Sequence, residues 1–135
     1  MKKYEILPHK ADLKIRAFGK TKEELFLNML TGMTESQKPE IKNEEEVKRE
    51  IKISSPDLLS LLVDFLSEAL YLAQVNKEVY FGVRFKKISN NEIEGELIGQ
   101  KTERFNEDIK AVTYHNLDIH QIKNNTWEAT VLFDI

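Results

Sequence analysis

The spacing of hydrophobic and polar residues changes several times along the chain, and each change marks an element. In "DLKIRAFG", Leu13, Ile15 and Ala17 alternate with Lys14, Arg16 and Phe18, the period of two expected of a half-buried strand. The preceding "KYEILP" reads as a short strand, and Pro8, which has no ladder donor, predicts a bend or bulge over residues 9–12. In "TKEELFLNMLTGMTE", Thr21 and Glu24 stand at capping-box spacing, and Leu25, Met29, Leu30 and Met33 follow helical spacing. A first helix over residues 22–34 follows from that pattern.

"SQKPEIKNEEE" has no period and contains Pro39, so it reads as a loop. "EVKREIKIS" sets Val47, Arg49, Ile51 and Ile53 against charged neighbours and reads as a strand. Ser55 ahead of Pro56 predicts an N-cap with proline at the first helical position, and a central, most buried helix running to about residue 75. "EVYFGVRFKKI" and "EIEGELIG" form a hairpin through Asn90 and Asn91. "DIKAVTYHNLDIHQI" and "TWEATVLFDI" read as the last two strands, joined through "KNN". The fold class expected is α+β: a single domain over residues 1–135, with a mostly antiparallel or mixed β-sheet packed against two α-helices.

At 135 residues the chain can remove roughly two thirds of its extended-state surface from water, enough for a core without staples. It has no cysteine, which excludes disulfide frameworks, thiolate zinc sites and cysteine nucleophiles and suits a cytoplasmic location. "MKKYEILPHK" lacks the apolar run of a signal peptide. The most apolar stretch, "LLSLLVDFLSEALYLA", is interrupted by Asp64 and Glu68 and is short for a bilayer, so no membrane anchor is expected. A net charge of −3 gives no global attraction for phosphate. Lys2-Lys3 and Lys86-Lys87 are too few for a phosphate-tracking groove, so any RNA role is expected to run through a partner.

Three stretches carry candidate chemistry. In "PHKAD", Asp12 stands where a broken strand resumes and can turn a carboxylate outward as an oxygen ligand for Ca²⁺ or Mg²⁺; the plainer reading makes Asp12 a turn cap and His9 a surface histidine. In "WEATVLFDI", Trp127, Ala129, Val131, Phe133 and Ile135 share one face and Asp134 takes the other. If Ile135 ends the chain, its α-carboxylate adds a second anion beside Asp134, which calls for a cation between them or leaves both in water. In "IKAVTYHNLDI", Lys110 and His115 fall on opposite faces of an ideal strand unless a bulge re-aims one. Lys110 is either solvated or neutralises a carboxylate pair, and Glu68 either reaches the sheet or marks the solvated edge of its helix. There is no phosphate loop, no His-Glu-x-x-His and no serine elbow.

Together "YEILPHKADLKIRAFGKTKEELF", "LLSLLVDFLSEALYL", "IKAVTYHNLDI" and the terminal "WEATVLFDI" resemble the archease family over nearly the whole chain. The combination of "KAVTYH" with a "FDI" ending is specific to it. The resemblance implies an accessory protein, itself not an enzyme, of the metal- and GTP-dependent RNA ligase that joins tRNA exons. It would promote ligase guanylylation and multiple turnover, with the ligase as protein partner and tRNA met indirectly. It also implies a metal site of Asp12, Asp134 and Ile135, with Lys110 as a functional cation and His115, His9 and Glu68 in support. On this reading "IKAVTYHNLDI" is a core strand lining the acidic site. Lys10 and Lys14 depart from the family's usual threonine and glycine and place positive charge beside Asp12; Ser67 replaces a usual asparagine. A small metal-dependent hydrolase and a chaperone-like interaction module without a site are the competing readings.

Overall fold

The computed structural model describes residues 2–135. Eight strands and two helices follow the order β1 (Tyr4–Leu7), β2 (Leu13–Gly19), α1 (Lys22–Ser36), β3 (Pro39–Ser54), α2 (Leu58–Asn76), β4 (Glu78–Ile88), β5 (Glu92–Phe105), β6 (Ala111–Val112), β7 (Asp118–Gln121) and β8 (Trp127–Asp134). All pairings are antiparallel and form two sheets. The first runs β1-β2-β8-β6, with β7 also on β8; the second runs β3-β5-β4. This is the α+β class that the sequence predicts, with its strands divided between two sheets.

One core joins both layers. Ile15, Ala17, Ala129, Val131 and Phe133 from the first sheet meet Leu25, Phe26, Met29 and Leu30 of α1, all fully buried. Leu61, Leu62, Phe65 and Leu66 supply the α2 share, and the Phe26 and Phe65 rings lie 5.5 Å apart. Full burial of each such side chain contributes about 1.5–3 kcal/mol, so this interior stripe fixes the strand register. Because Val131 and Phe133 must point inward, Leu132 and Asp134 point to the opposite face.

α1 starts as its sequence predicts: the Thr21 hydroxyl accepts the Glu24 N–H at 3.1 Å. α2 starts two residues later than expected. Its cap is Asp57, whose carboxylate accepts the Ser60 N–H at 2.8 Å, while the Ser55 hydroxyl is committed to Asp64 at 2.6 Å. α2 reaches 19 residues with a mean hydropathy of 1.6, a length and composition that could cross a membrane and that a buried core helix also meets. Its apolar face lies in the core.

Two further expectations fail. From Pro39 onward the stretch read as a loop is the first part of β3, which pairs with β5 through irregularities between Glu40 and Glu46. Both of its faces are exposed there, so no period of two is written into the sequence. The strand expected across "DIKAVTYHNLDIHQI" breaks into β6 and β7: Leu117 N–H donates to Tyr114 O in a turn, with Asn116 left-handed at φ 54°. In the second sheet β4 bulges opposite Gly99 and Gly95. A Cβ on Gly99 would sit 1.7 Å from the Val79 carbonyl oxygen, so the strands approach only because that side chain is missing.

Candidate functional site

β8 is the hinge of the site. Leu13 pairs with Phe133 on one side of it, and Ala111 pairs with Asp134 on the other. The β2–β8 ladder ends at Leu13 and Phe133, so the residues that flank it, Asp12 and Asp134, 122 positions apart in sequence, come to one end of one sheet. Asp134 and Ile135 are exposed, and the Asp12 side chain is 33% exposed.

The turn into Asp12 is held by local geometry. Ala11 takes a left-handed φ of 65°, a conformation that costs a residue with a Cβ roughly 1 kcal/mol. The bend expected over residues 9–12 is present, and it stores strain beside the carboxylate. His9 Nδ1 lies 3.2 Å from the Lys10 carbonyl oxygen and 3.7 Å from Asp12 Oδ2. His9 therefore stands next to Asp12.

Across β8, the Lys110 N–H donates to the Asp134 carbonyl oxygen at 2.7 Å. This bond ties the lysine backbone to the chain end while its side chain is exposed. Thr113 fixes the following residues: both its N–H and its hydroxyl donate to Leu132 O, at 3.0 and 2.9 Å. His115 lies beyond, exposed in the turn, its N–H donating to the Thr113 hydroxyl. Glu68 goes elsewhere. It lines a cavity of about 400 Å³ with Lys52, Ser54, Asp64 and Ser67, on the side where α2 faces the end of β3.

Asp12 and Asp134 offer hard oxygen donors, and where Ile135 ends the chain its α-carboxylate is a third. Among the described residues no group of three His, Cys, Asp or Glu side chains is arranged to hold a metal ion. Beside the carboxylates an apolar cavity of about 280 Å³ is lined by Ile6, Leu13, Ile109 and Ile135, with Glu107 and Asp108 at its polar part.

Residues 4–135 match the family described as Archease protein family (MTH1598/TM1083). The chain belongs to the archease family. The archease of Methanosarcina barkeri is 42% identical over 142 residues, covering 99% of this chain and 97% of its own. The solution structure of protein 1598 of Methanobacterium thermoautotrophicum matches with a TM-score of 0.69 and 26% identity over 100% of both chains. The crystal structure of a Thermotoga maritima protein, described as an archease and possible chaperone, matches with a TM-score of 0.68 and 20% identity over 96% of this chain and 94% of its own. That likeness is one of fold.

Within this archease fold the structure brings Asp12, Asp134, Ile135, His9 and the Lys110 backbone together, and sets His115 a turn away. The sequence reading missed Asp64. Its carboxylate accepts from the Ser55 and Tyr114 hydroxyls at 2.6 and 3.2 Å, pinning residues 113–117 to α2. Burial, with the Asp64 charge adding to it, holds the Tyr114 phenol above its usual range. The interruption of the apolar run by Asp64 was the available signal.

Proposed function

We propose that this archease-family chain is a non-catalytic accessory protein of the metal- and GTP-dependent RNA ligase that joins tRNA exons. In this reading it works in the cytoplasm, promotes ligase guanylylation and multiple turnover, and meets tRNA indirectly, on the ligase. The observation that supports the reading is the β2–β8 register, whose last pair, Leu13 and Phe133, flanks Asp12 and Asp134, the positions that the family resemblance singles out.

The donor set fits a divalent cation such as Ca²⁺ or Mg²⁺, because like-charged carboxylates side by side are favourable only with positive charge between them. Asp12 and Asp134, with the Ile135 carboxylate where that residue ends the chain, would hold the ion, which when bound supplies positive charge for phosphate oxygens of a docked partner. The chain's own residues do the rest. His9 limits the orientations open to Asp12, and Lys110, anchored through its N–H to Asp134, offers an exposed ammonium at the rim. Neither task needs covalent chemistry from this chain.

The test is multiple-turnover ligation of RNA carrying a 3′-phosphate by substoichiometric ligase, with and without this protein. Raised turnover by wild type and loss of the effect in Asp12→Ala and Asp134→Ala are expected. No change in turnover on adding wild type defeats the partner reading, and full activity of both variants defeats the site.

A further inference from the structure

Away from Asp12, the far end of the same sheet gathers lysines that are scattered in the sequence. Tyr4 pairs with Ala17, and the Phe18 N–H donates to the Lys3 carbonyl at 3.0 Å, which extends the ladder so that Lys3 lies beside Phe18 and Lys2 beside Gly19. Lys20 follows directly, and Lys2, Lys3 and Lys20 line one cavity of about 450 Å³ with Glu24, Leu27 and Asn28. Two strands further across, Gly19 pairs with Trp127 and Trp127 with Gln121, so Lys123 in the β7–β8 turn sits at this end too. Neighbouring strands are about 4.8 Å apart, which spreads the positive charge over roughly 15 Å. The acidic end lies about 20 Å away along β2 at about 3.4 Å per residue.

Glu5 takes the Lys2 ammonium at 2.9 Å, while Glu24, which accepts the Lys20 backbone N–H at 3.2 Å, keeps its charge within the cavity. Lys22 is bonded to Asn90. Among the described residues Lys3, Lys20 and Lys123 form no ion pair with a carboxylate. Three cations without a carboxylate partner thus gather at one end of a chain whose formal charge is −3.

We infer that this end, centred on Lys3 and Lys20 and reaching Lys123, is a contact surface for the phosphate backbone of a nucleic-acid strand. Exposed ammonium groups spread in this way suit a ligand with repeated charges better than a single small anion. Ile122 is the exposed large apolar side chain beside them, too little to insert into a lipid surface. The contact is sequence-independent, carried by counterion release, and needs neither the ligase nor the acidic end.

The test is fluorescence anisotropy of a short labelled single-stranded RNA titrated with the full chain. Wild type should bind saturably at low salt. With about three phosphate contacts the affinity should fall about 20-fold between roughly 50 and 200 mM salt. Lys3→Glu/Lys20→Glu should weaken binding at least tenfold while keeping the wild-type circular dichroism spectrum and melting temperature. Lys48→Glu/Lys52→Glu, the same charge change on the second sheet, and Asp12→Ala should stay near wild type. Three results overturn the inference: no saturable binding by wild type, equal losses in the two double variants, or lysine-dependent binding to phosphatidylserine vesicles without binding to RNA. Ligase activation is measured separately, so failure here leaves the partner reading standing and failure there leaves this one.

Discussion

Glu78, the first residue of β4, is completely buried, yet its carboxylate accepts from Arg49 Nε and Nη2 at 2.9 and 2.8 Å and from the Tyr80 hydroxyl at 2.7 Å. Lys101 stands at 3.7 Å. The Arg49 side chain is 39% exposed, so the two halves of this pair are not equivalent. Arg49→Met strands a carboxylate that cannot reach water. Removing one partner of a buried pair costs about 3–5 kcal/mol, and the remaining Lys101 and Tyr80 contacts place the expected loss near 3. Glu78→Gln leaves a guanidinium that can rehydrate and a side chain that still hydrogen-bonds, so about 1.5–3 kcal/mol is expected. The double variant strands no charge and should be more stable than Arg49→Met alone, a coupling of about 1–3 kcal/mol.

The pH dependence has opposite signs in wild type and variant. Hydrogen bonds from Arg49 hold the Glu78 carboxyl below its usual range. Its contribution is therefore present above the unfolded pKa of about 4.3 and is lost as pH falls through the lowered folded value. In Arg49→Met, burial outweighs the remaining partners and raises that pKa, so the stability gap to wild type should narrow on acidification. Urea unfolding followed by the fluorescence of Trp127, the single tryptophan, measures all three variants near neutral pH and near pH 5. A loss under 1 kcal/mol in Arg49→Met, or a gap that widens in acid, would refute the reasoning.

Other perturbations have equally definite outcomes. Gly99→Ala drives a Cβ into the Val79 carbonyl; a loss of about 3 kcal/mol or insoluble expression is expected, read by urea unfolding or soluble yield. Asp57→Ala removes the α2 cap and should cost about 0.5–2 kcal/mol. Backbone hydrogen bonding from Ser60 lowers the Asp57 pKa, so this cost should shrink as pH falls below the usual carboxylate range. Tyr114→Phe removes the bond to Asp64; hydrogen exchange of the amides in residues 113–117 should speed up, with a global loss of about 1 kcal/mol. Asp134→Asn relieves like charge beside Asp12 and should leave stability without added cation unchanged or up to about 1 kcal/mol higher in the same unfolding assay.

Much of the fold was legible because its core is written in periodic positions. Leu25, Met29, Leu30 and Met33 are buried as their spacing predicts, and Ala129, Val131 and Phe133 face inward while Asp134 faces out. The failures have physical causes. Residues 39–46 form a strand held by backbone pairing with Gln100, Thr102, Arg104 and Phe105, and a strand exposed on both faces leaves no hydrophobic signature. Ser55 and Asp57 are both good caps, and the choice between them depends on Asp64, which engages Ser55 through the tertiary fold. The break after Val112 likewise depends on Thr113 bonding Leu132 and Tyr114 reaching Asp64. For the candidate site, residue types and family likeness named Asp12 and Asp134, whereas bringing them to one end of the sheet needed the register of Leu13 with Phe133. The lysines at the other end stayed hidden because residues 2, 3, 20 and 123 meet only after β1, β2 and the β7–β8 turn are in place.

The proposed site has Asp12 and Asp134 hold one divalent cation between them. Isothermal titration of Ca²⁺ into wild type, Asp12→Asn and Asp134→Asn, each checked for folding, tests it most directly. One site per chain in wild type, abolished by either substitution, is the predicted result. Absence of binding to wild type, or a site that survives in both variants, would contradict it.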